Sequence, residues 1–225
     1  VAHLCRVLEG VPLAIELAAA KSRTVPLDVL AEQLDDTLSA YGEQRGTSDR
    51  HRTMDAMIAW SYDLLSPGEQ ALFRSLGVFV GGFTIDAATR VCPTPHLSPS
   101  EVAGSIDALV EHSIVESSPD TGRYRLLEPL RLFALARLRE ADELDHLTKV
   151  HARAFSSIVS SASNEAHGPA HDMIRAGFRA DASNIRAALE HLESTGETEC
   201  MCEMVAALTA FWVAENRFDE QMRWG

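Results

Sequence analysis

Apolar positions recur at helical spacing along nearly the whole chain. Leu4, Val7 and Leu8 form one stripe, and Leu13, Leu17 and Ala20 form another. Between them Gly10-Val11-Pro12 forces a break. Gly10 can take the left-handed conformation that closes a helix, and Pro12 has its φ pre-set for a first helical turn. Pro26 then precedes a helix over Leu27–Leu38, with Val29, Leu30, Leu34 and Leu38 on one side. The stretch Ser39–Asp49 has two glycines and almost no apolar residue, and reads as a linker.

Thr53 can cap the next helix, whose face carries Met54, Met57, Ile58, Ser61 and Leu65, widened by Trp60 and Leu64. Ser66-Pro67-Gly68-Glu69 combines a cap, a first-turn proline and the acid of a capping box ahead of Leu72, Phe73 and Leu76. Val78-Phe79-Val80 reads as a short strand stopped by Gly81-Gly82. A helix follows from Thr84 to Val91, then a proline-rich loop over Pro93–Pro99. Ser98-Pro99-Ser100-Glu101 repeats the capping signature and opens a helix through Val102, Ile106, Leu109 and Val110. Ser113–Glu116 and Arg123–Leu126, joined by the turn residues Ser117–Gly122, read as a hairpin. Pro129 starts a helix with Leu130, Phe133, Ala134 and Leu138.

That order of helices around a hairpin is the outline of a winged helix. From Asp142 the pattern is helical, with Ile185–Leu192 and the strongly apolar Met201–Val213 separated by breaks at Thr195-Gly196 and Asn216-Arg217. Helix pairs with short breaks look like the start of a tetratricopeptide-like array. The expectation is a mostly α protein with a small helical unit over 1–45, a winged helix with a short β-hairpin over 50–140, and helical repeats over 143–225.

Composition narrows the function. The chain has 225 residues, 46% of them hydrophobic, which suffices for a packed core. A formal charge of -13 opposes non-specific binding to nucleic acid or anionic membrane. Cys5, Cys92, Cys200 and Cys202 have no framework spacing and read as thiols of a reducing compartment, the cytoplasm. No apolar run is long enough to span a bilayer, and both ends read as interior positions of a longer polypeptide. His167 and His171 are separated by Gly168-Pro169, and His146 and His151 are wrongly spaced for one helical face, so no metal site is expected. No nucleophile, base and acid group together, and no catalytic residue is expected.

Four stretches carry a resemblance: Gly10-Val11-Pro12-Leu13 with its AIELAAA continuation; Arg52-Thr53 through Trp60-Ser61-Tyr62-Asp63-Leu64-Leu65-Ser66; Phe79-Val80-Gly81-Gly82-Phe83; and Tyr124-Arg125-Leu126-Leu127-Glu128 running on to Arg131 and Ala134. In this order they are similar to the middle of STAND-type regulatory ATPases, the NB-ARC-like switches of large bacterial transcriptional regulators, LuxR-type proteins among them. The resemblance implies an upstream P-loop domain that binds ATP or ADP. It makes Gly10, Pro12 and Leu13 a lid over the nucleotide and gives the winged helix the task of holding the ADP form shut. The helical array would sense an inducer or protein partner. The chain contains no Gly-x-x-x-x-Gly-Lys-Ser/Thr, so it is not expected to hydrolyse or hold a nucleotide alone. Relatives carry Met-His-Asp where this chain has Leu126, Leu127 and Glu128, and leucine cannot donate a hydrogen bond to phosphate.

Other readings stand beside these. Pro12 also suits a plain helix start. Arg45, Arg50, His51 and Arg52 form a basic cluster that is either a solvated linker or a hinge contact to phosphate, with Arg50 and Arg52 the candidates. A winged helix can read DNA, with Ser98–His112 as recognition helix and Arg123 and Arg125 on the phosphate backbone. That helix has Glu101, Asp107 and Glu111 and no Lys or Arg, so direct DNA contact is not the favoured use. Phe211 and Trp212 suit either a core or a partner-binding surface. A pure protein-interaction scaffold, independent of nucleotide, is the remaining alternative.

Overall fold

A computed structural model describes residues 7–41, 49–92, 99–164 and 171–225. It is mostly α-helical. The described helices are α1 (Pro12–Lys21), α2 (Leu27–Tyr41), α3 (Asp49–Asp63), α4 (Pro67–Leu76), α5 (Ile85–Val91), α6 (Pro99–Glu111), α7 (Glu128–Glu140), α8 (Leu144–Asn164), α9 (His171–Ala180), α10 (Ala182–Thr195), α11 (Thr198–Ala214) and α12 (Phe218–Trp224). Between α6 and α7 lie β1 (Glu116–Ser118) and β2 (Arg123–Arg125), an antiparallel hairpin with Ser117 opposite Tyr124.

Local chemistry explains most of the helix boundaries. Glu9 and Gly10 both have positive φ, of 52° and 69°, and Val11 N–H donates to the Leu8 carbonyl before Pro12 opens α1. At α4 the capping box forms: the Glu69 N–H donates to Ser66 Oγ, and the Ser66 N–H donates to Glu69 Oε2 at 2.8 Å. Four helices end on one device. Ser113, Asp142, Gly196 and Asn216 have φ of 57°, 58°, 69° and 54°. The next residues, Ile114, Glu143, Glu197 and Arg217, donate back to the carbonyls of Leu109, Leu138, Leu192 and Trp212. This six-to-one bond satisfies a carbonyl that the helix end leaves without a partner.

One continuous core runs through the described residues. Helices α1 and α2 pack on α3 through Leu17, Leu30, Leu34 and Met57. In the winged helix, α4 packs on α6 and α7, and α5 on α6. Gly77 lets α4 meet α7 closely, because a Cβ there would lie 2.9 Å from the Ala134 Cβ. Helix α8 takes α10 and α11 on one side and α5 on another, so the tail is seated on the winged helix. Phe211 and Trp212 belong to the tail's core, with the Phe211 ring edge-on to Phe178 at 5.3 Å.

The expected strand at Val78-Phe79-Val80 is absent. These residues form a turn, and only Phe83 pairs with the hairpin, exchanging backbone hydrogen bonds with Tyr124 at 2.8 and 2.9 Å. Gly81 and Gly82, at φ 83° and 115°, turn the chain before a ladder can form. A Cβ on Gly82 would lie 2.8 Å from the Tyr124 carbonyl oxygen, so the close approach requires glycine. The strands themselves are Glu116–Ser118 and Arg123–Arg125, displaced from the expected Ser113–Glu116 because Ser113 and Ile114 complete the end of α6.

Candidate functional site

The sequence nominates the corner before α1 and the start of α7 for nucleotide, Arg50 and Arg52 for a hinge, and Arg123 and Arg125 for a DNA backbone. At the corner, Gly10 and Pro12 are exposed while Leu13 is buried in the core. Nothing lies within 4 Å of a Cβ added to Gly10, so its conformation and not its packing calls for glycine. The backbone of Arg50 and Arg52 lies in the first turn of α3; their side chains lie outside the described residues, as do Arg45 and His167.

At the start of α7, Leu126, Leu127, Glu128 and Arg131 line a cleft of about 190 Å³ with Phe79 and Gly81. Gly10, Pro12 and Leu13 are not among its walls. Leu127 is the N-cap and supplies no side-chain cap bond. Glu128 and Arg131 face each other as a two-pronged pair, Nε to Oε2 and Nη2 to Oε1, both at 2.9 Å. Those bonds hold the Glu128 carboxyl below the usual carboxylate range and raise Arg131. The arrangement matters for anions. A helix N-terminus attracts phosphate through its free N–H groups and dipole. Here a carboxylate stands in that first turn, and it also fills the guanidinium fork that would grip a phosphate.

The hairpin basic residues have different surroundings. Arg123 Nη2 donates to Asp181 Oδ1 at 2.6 Å, with side chains only 17% and 18% exposed. Arg125 is exposed and pairs with Glu116 across the hairpin at 2.6 Å. Helix α6 buries Val102, Ile106 and Leu109 and turns Glu101, Gly104, Asp107 and Glu111 outward. The face that a winged helix offers to a major groove is therefore acidic, and phosphates would repel it.

A further cluster carries only a faint sequence signal. Asn184, in the first turn of α10, is completely buried. Its Nδ2 donates to the Gly82 carbonyl at 2.8 Å, and its Oδ1 accepts the Val80 N–H at 2.7 Å. These two bonds fix the orientation of the amide. His151 Nε2 lies 3.3 Å from the same Oδ1, so that nitrogen carries the proton and donates. The His151 ring packs on Phe155 and Phe79 at 4.6 and 5.4 Å. Burial lowers its pKa to about 4, against smaller raising effects of Asn184 and Asp181. The only hint in the sequence is a polar residue placed where α10 turns its apolar face inward.

Among the described residues no group of three or more His, Cys, Asp or Glu could hold a metal ion, and no helix is long and apolar enough to cross a membrane.

No family model and no solved structure matches the chain. Curated proteins do. The chain is 35% identical over its whole length to the "Putative HTH-type transcriptional regulator Rv0890c" of Mycobacterium tuberculosis, of which the match covers 26%. It is 39% identical over 64% of its length to the "Uncharacterized protein Rv0894" of the same organism, covering 38% of that protein. It is 31% identical over 56% of its length to the "Regulatory protein AfsR" of Streptomyces coelicolor, covering 12% of it. The chain thus spans about a quarter of the length of the regulator that it matches from end to end. The relatives with functional names are bacterial regulators.

Proposed function

We propose that this chain is the switch and early sensor portion of a STAND-type regulator of transcription, a cytoplasmic protein. A nucleotide-binding domain elsewhere in the polypeptide would hold ADP or ATP. Gly10, Pro12 and Leu13 would shape the lid over it, and the α7 start at Leu127 and Glu128 would face the phosphates. ADP would favour packing of the winged helix on that domain; ATP and an inducer sensed by the helical tail would favour the open arrangement. The chain itself is not an enzyme in this reading, and its partners are the nucleotide domain, further helical repeats and the inducer.

The observation that carries the reading is the match along the entire chain to a protein named as an HTH-type transcriptional regulator. The acidic outer face of α6 adds a division of labour: DNA reading falls to another part of the polypeptide. The Glu128–Arg131 pair favours a second reading, a scaffold that works without nucleotide, because the fork is already filled.

One experiment separates the two. The full-length regulator is purified, denatured, and its supernatant analysed by ion-exchange chromatography, beside Pro12→Ala. Retained ADP that the variant loses supports the switch. No nucleotide in either protein, and none bound on titration, establishes the scaffold. A steep fall of DNA affinity with salt for the 225-residue chain alone would instead restore DNA contact by the wing.

A further inference from the structure

The contact between the winged helix and the tail is not a loose apolar seam. It is a polar lock built from residues 102 to 104 positions apart in sequence. The Val80–Gly82 loop presents one N–H and one carbonyl that no strand ladder uses, and the two ends of the Asn184 amide meet both. Beside it the hairpin's Arg123 is held by Asp181, which also lies within 3.4 Å of the Asn184 Nδ2. Ser183 lies against Gly81, its Cβ in ordinary van der Waals range, 3.5 Å, of a Cβ built there. Three residues around the start of α10, Asp181, Ser183 and Asn184, therefore meet Arg123, Gly81 and the loop backbone, while Phe79 and His151 close the apolar side.

We propose that this lock makes the wing and the tail helices α8 and α10 a single cooperative unit, so that a partner shifting α10 carries the wing with it. The apolar part of the contact would tolerate sliding, since dispersion contacts are non-directional. The amide lock would not, because any displacement of α10 strands one buried and one part-buried backbone group and a partly buried charge. Arg123 is consequently a partly buried joint residue engaged by Asp181, not a hand held out to DNA. The proposal goes beyond the nucleotide reading and stands equally if the protein is a scaffold.

Native-state hydrogen exchange of the full 225-residue chain across a urea series tests it. The Val80 and Tyr124 amides and the amides of 185–192 are expected to exchange through one shared opening, with the same urea dependence. In Asn184→Leu the Val80 amide should lose protection by on the order of tenfold or more. In both Asn184→Leu and Asp181→Asn the 185–192 amides should open at lower urea than those of α4. Two outcomes overturn the proposal. One is independent opening of wing and tail in the unaltered chain. The other is a shared opening that persists in the variants with Val80 protection unchanged. If Asn184→Leu fails to fold, the unaltered chain and Asp181→Asn decide the matter.

Discussion

Two polar clusters flank the Gly81–Gly82 turn, and they behave oppositely. At the α7 start the Glu128–Arg131 pair is open to water on its acidic side, with Glu128 63% exposed against 19% for Arg131. At the joint the Asn184 amide and the His151 ring are sealed, at 0% and 2% exposure. An exposed ion pair adds little to stability because water and salt screen it and two long side chains must be ordered. It can also be exchanged for another partner at little cost. A buried amide with both ends satisfied cannot, since breaking either bond leaves a group without water to replace it. The difference teaches where adaptability sits: the cleft that the sequence nominates is open to a change of partner, while the joint holds the wing in place.

That contrast is open to direct attack, beginning where the effect is largest. Asn184→Leu removes the partners of the Val80 N–H and the Gly82 carbonyl, and should cost about 3 kcal/mol in urea unfolding at neutral pH. A cost below about 1 kcal/mol would mean that water enters the joint and that it is not sealed. Gly82→Ala must strain a backbone at φ 115° and displace the Tyr124 carbonyl from 2.8 Å. It should cost about 2 kcal/mol, with loss of the Phe83–Tyr124 pairing seen in the Phe83 amide exchange.

Acid offers a third route. Burial lowers the His151 pKa to about 4 from an ordinary value near 6.5, so the unfolded chain binds the extra proton first as pH falls. Stability from the neutral ring is whole above about pH 6.5 and is lost progressively down to about pH 4. Between pH 7.5 and 5 the loss should be about 2 kcal/mol, measured by urea midpoints across that range. A His151→Phe chain should lose most of that slope, with His112, also lowered by burial, supplying a remainder; an equal slope in that variant would place the titration elsewhere. The smallest effect belongs to the exposed cluster. Glu128→Gln should shift stability by no more than about 0.5 kcal/mol. It also frees the Arg131 fork, so phosphate should bind the variant more tightly than the unaltered chain in a calorimetric titration. A large destabilisation would show that the pair is part of the fold's support.

The regulator reading depends differently on each cluster. Nucleotide sensing needs the α7 start to meet phosphate, which would require Glu128 to release Arg131. Signal transfer from the tail needs only that the joint hold. The acidic outer face of α6 bears on both, because phosphates would repel it and contact with DNA through that helix is disfavoured.

Much of this architecture was legible from local chemistry. Ser66-Pro67-Gly68-Glu69 specifies its capping box through neighbours three residues apart, and Gly10 with Pro12 specifies a corner whose conformation needs no contact. The acidity of α6 and the helical periods of the tail are equally local. The ends of α6 and α7 were harder, because Ser113 and Asp142 take the left-handed conformation without being glycine, whereas the break at Asn216-Arg217 was readable. Val78-Phe79-Val80 misled for a related reason: its apolar run suits a strand, yet the turn at Gly81-Gly82 comes first.

What the sequence by itself determined is therefore the helical inventory, the corner at Gly10–Pro12, the hairpin and the sign of the α6 surface, all set by residues within a few positions of one another. What only the tertiary structure decided is the use of each polar group. Arg123 read as a wing cation became a partly buried partner of Asp181, and the Val80 N–H, in a stretch read as a strand, became a donor to Asn184. Periodicity and capping act over single turns. A buried hydrogen bond acts between whichever groups the fold leaves without water, and those lay more than a hundred residues apart.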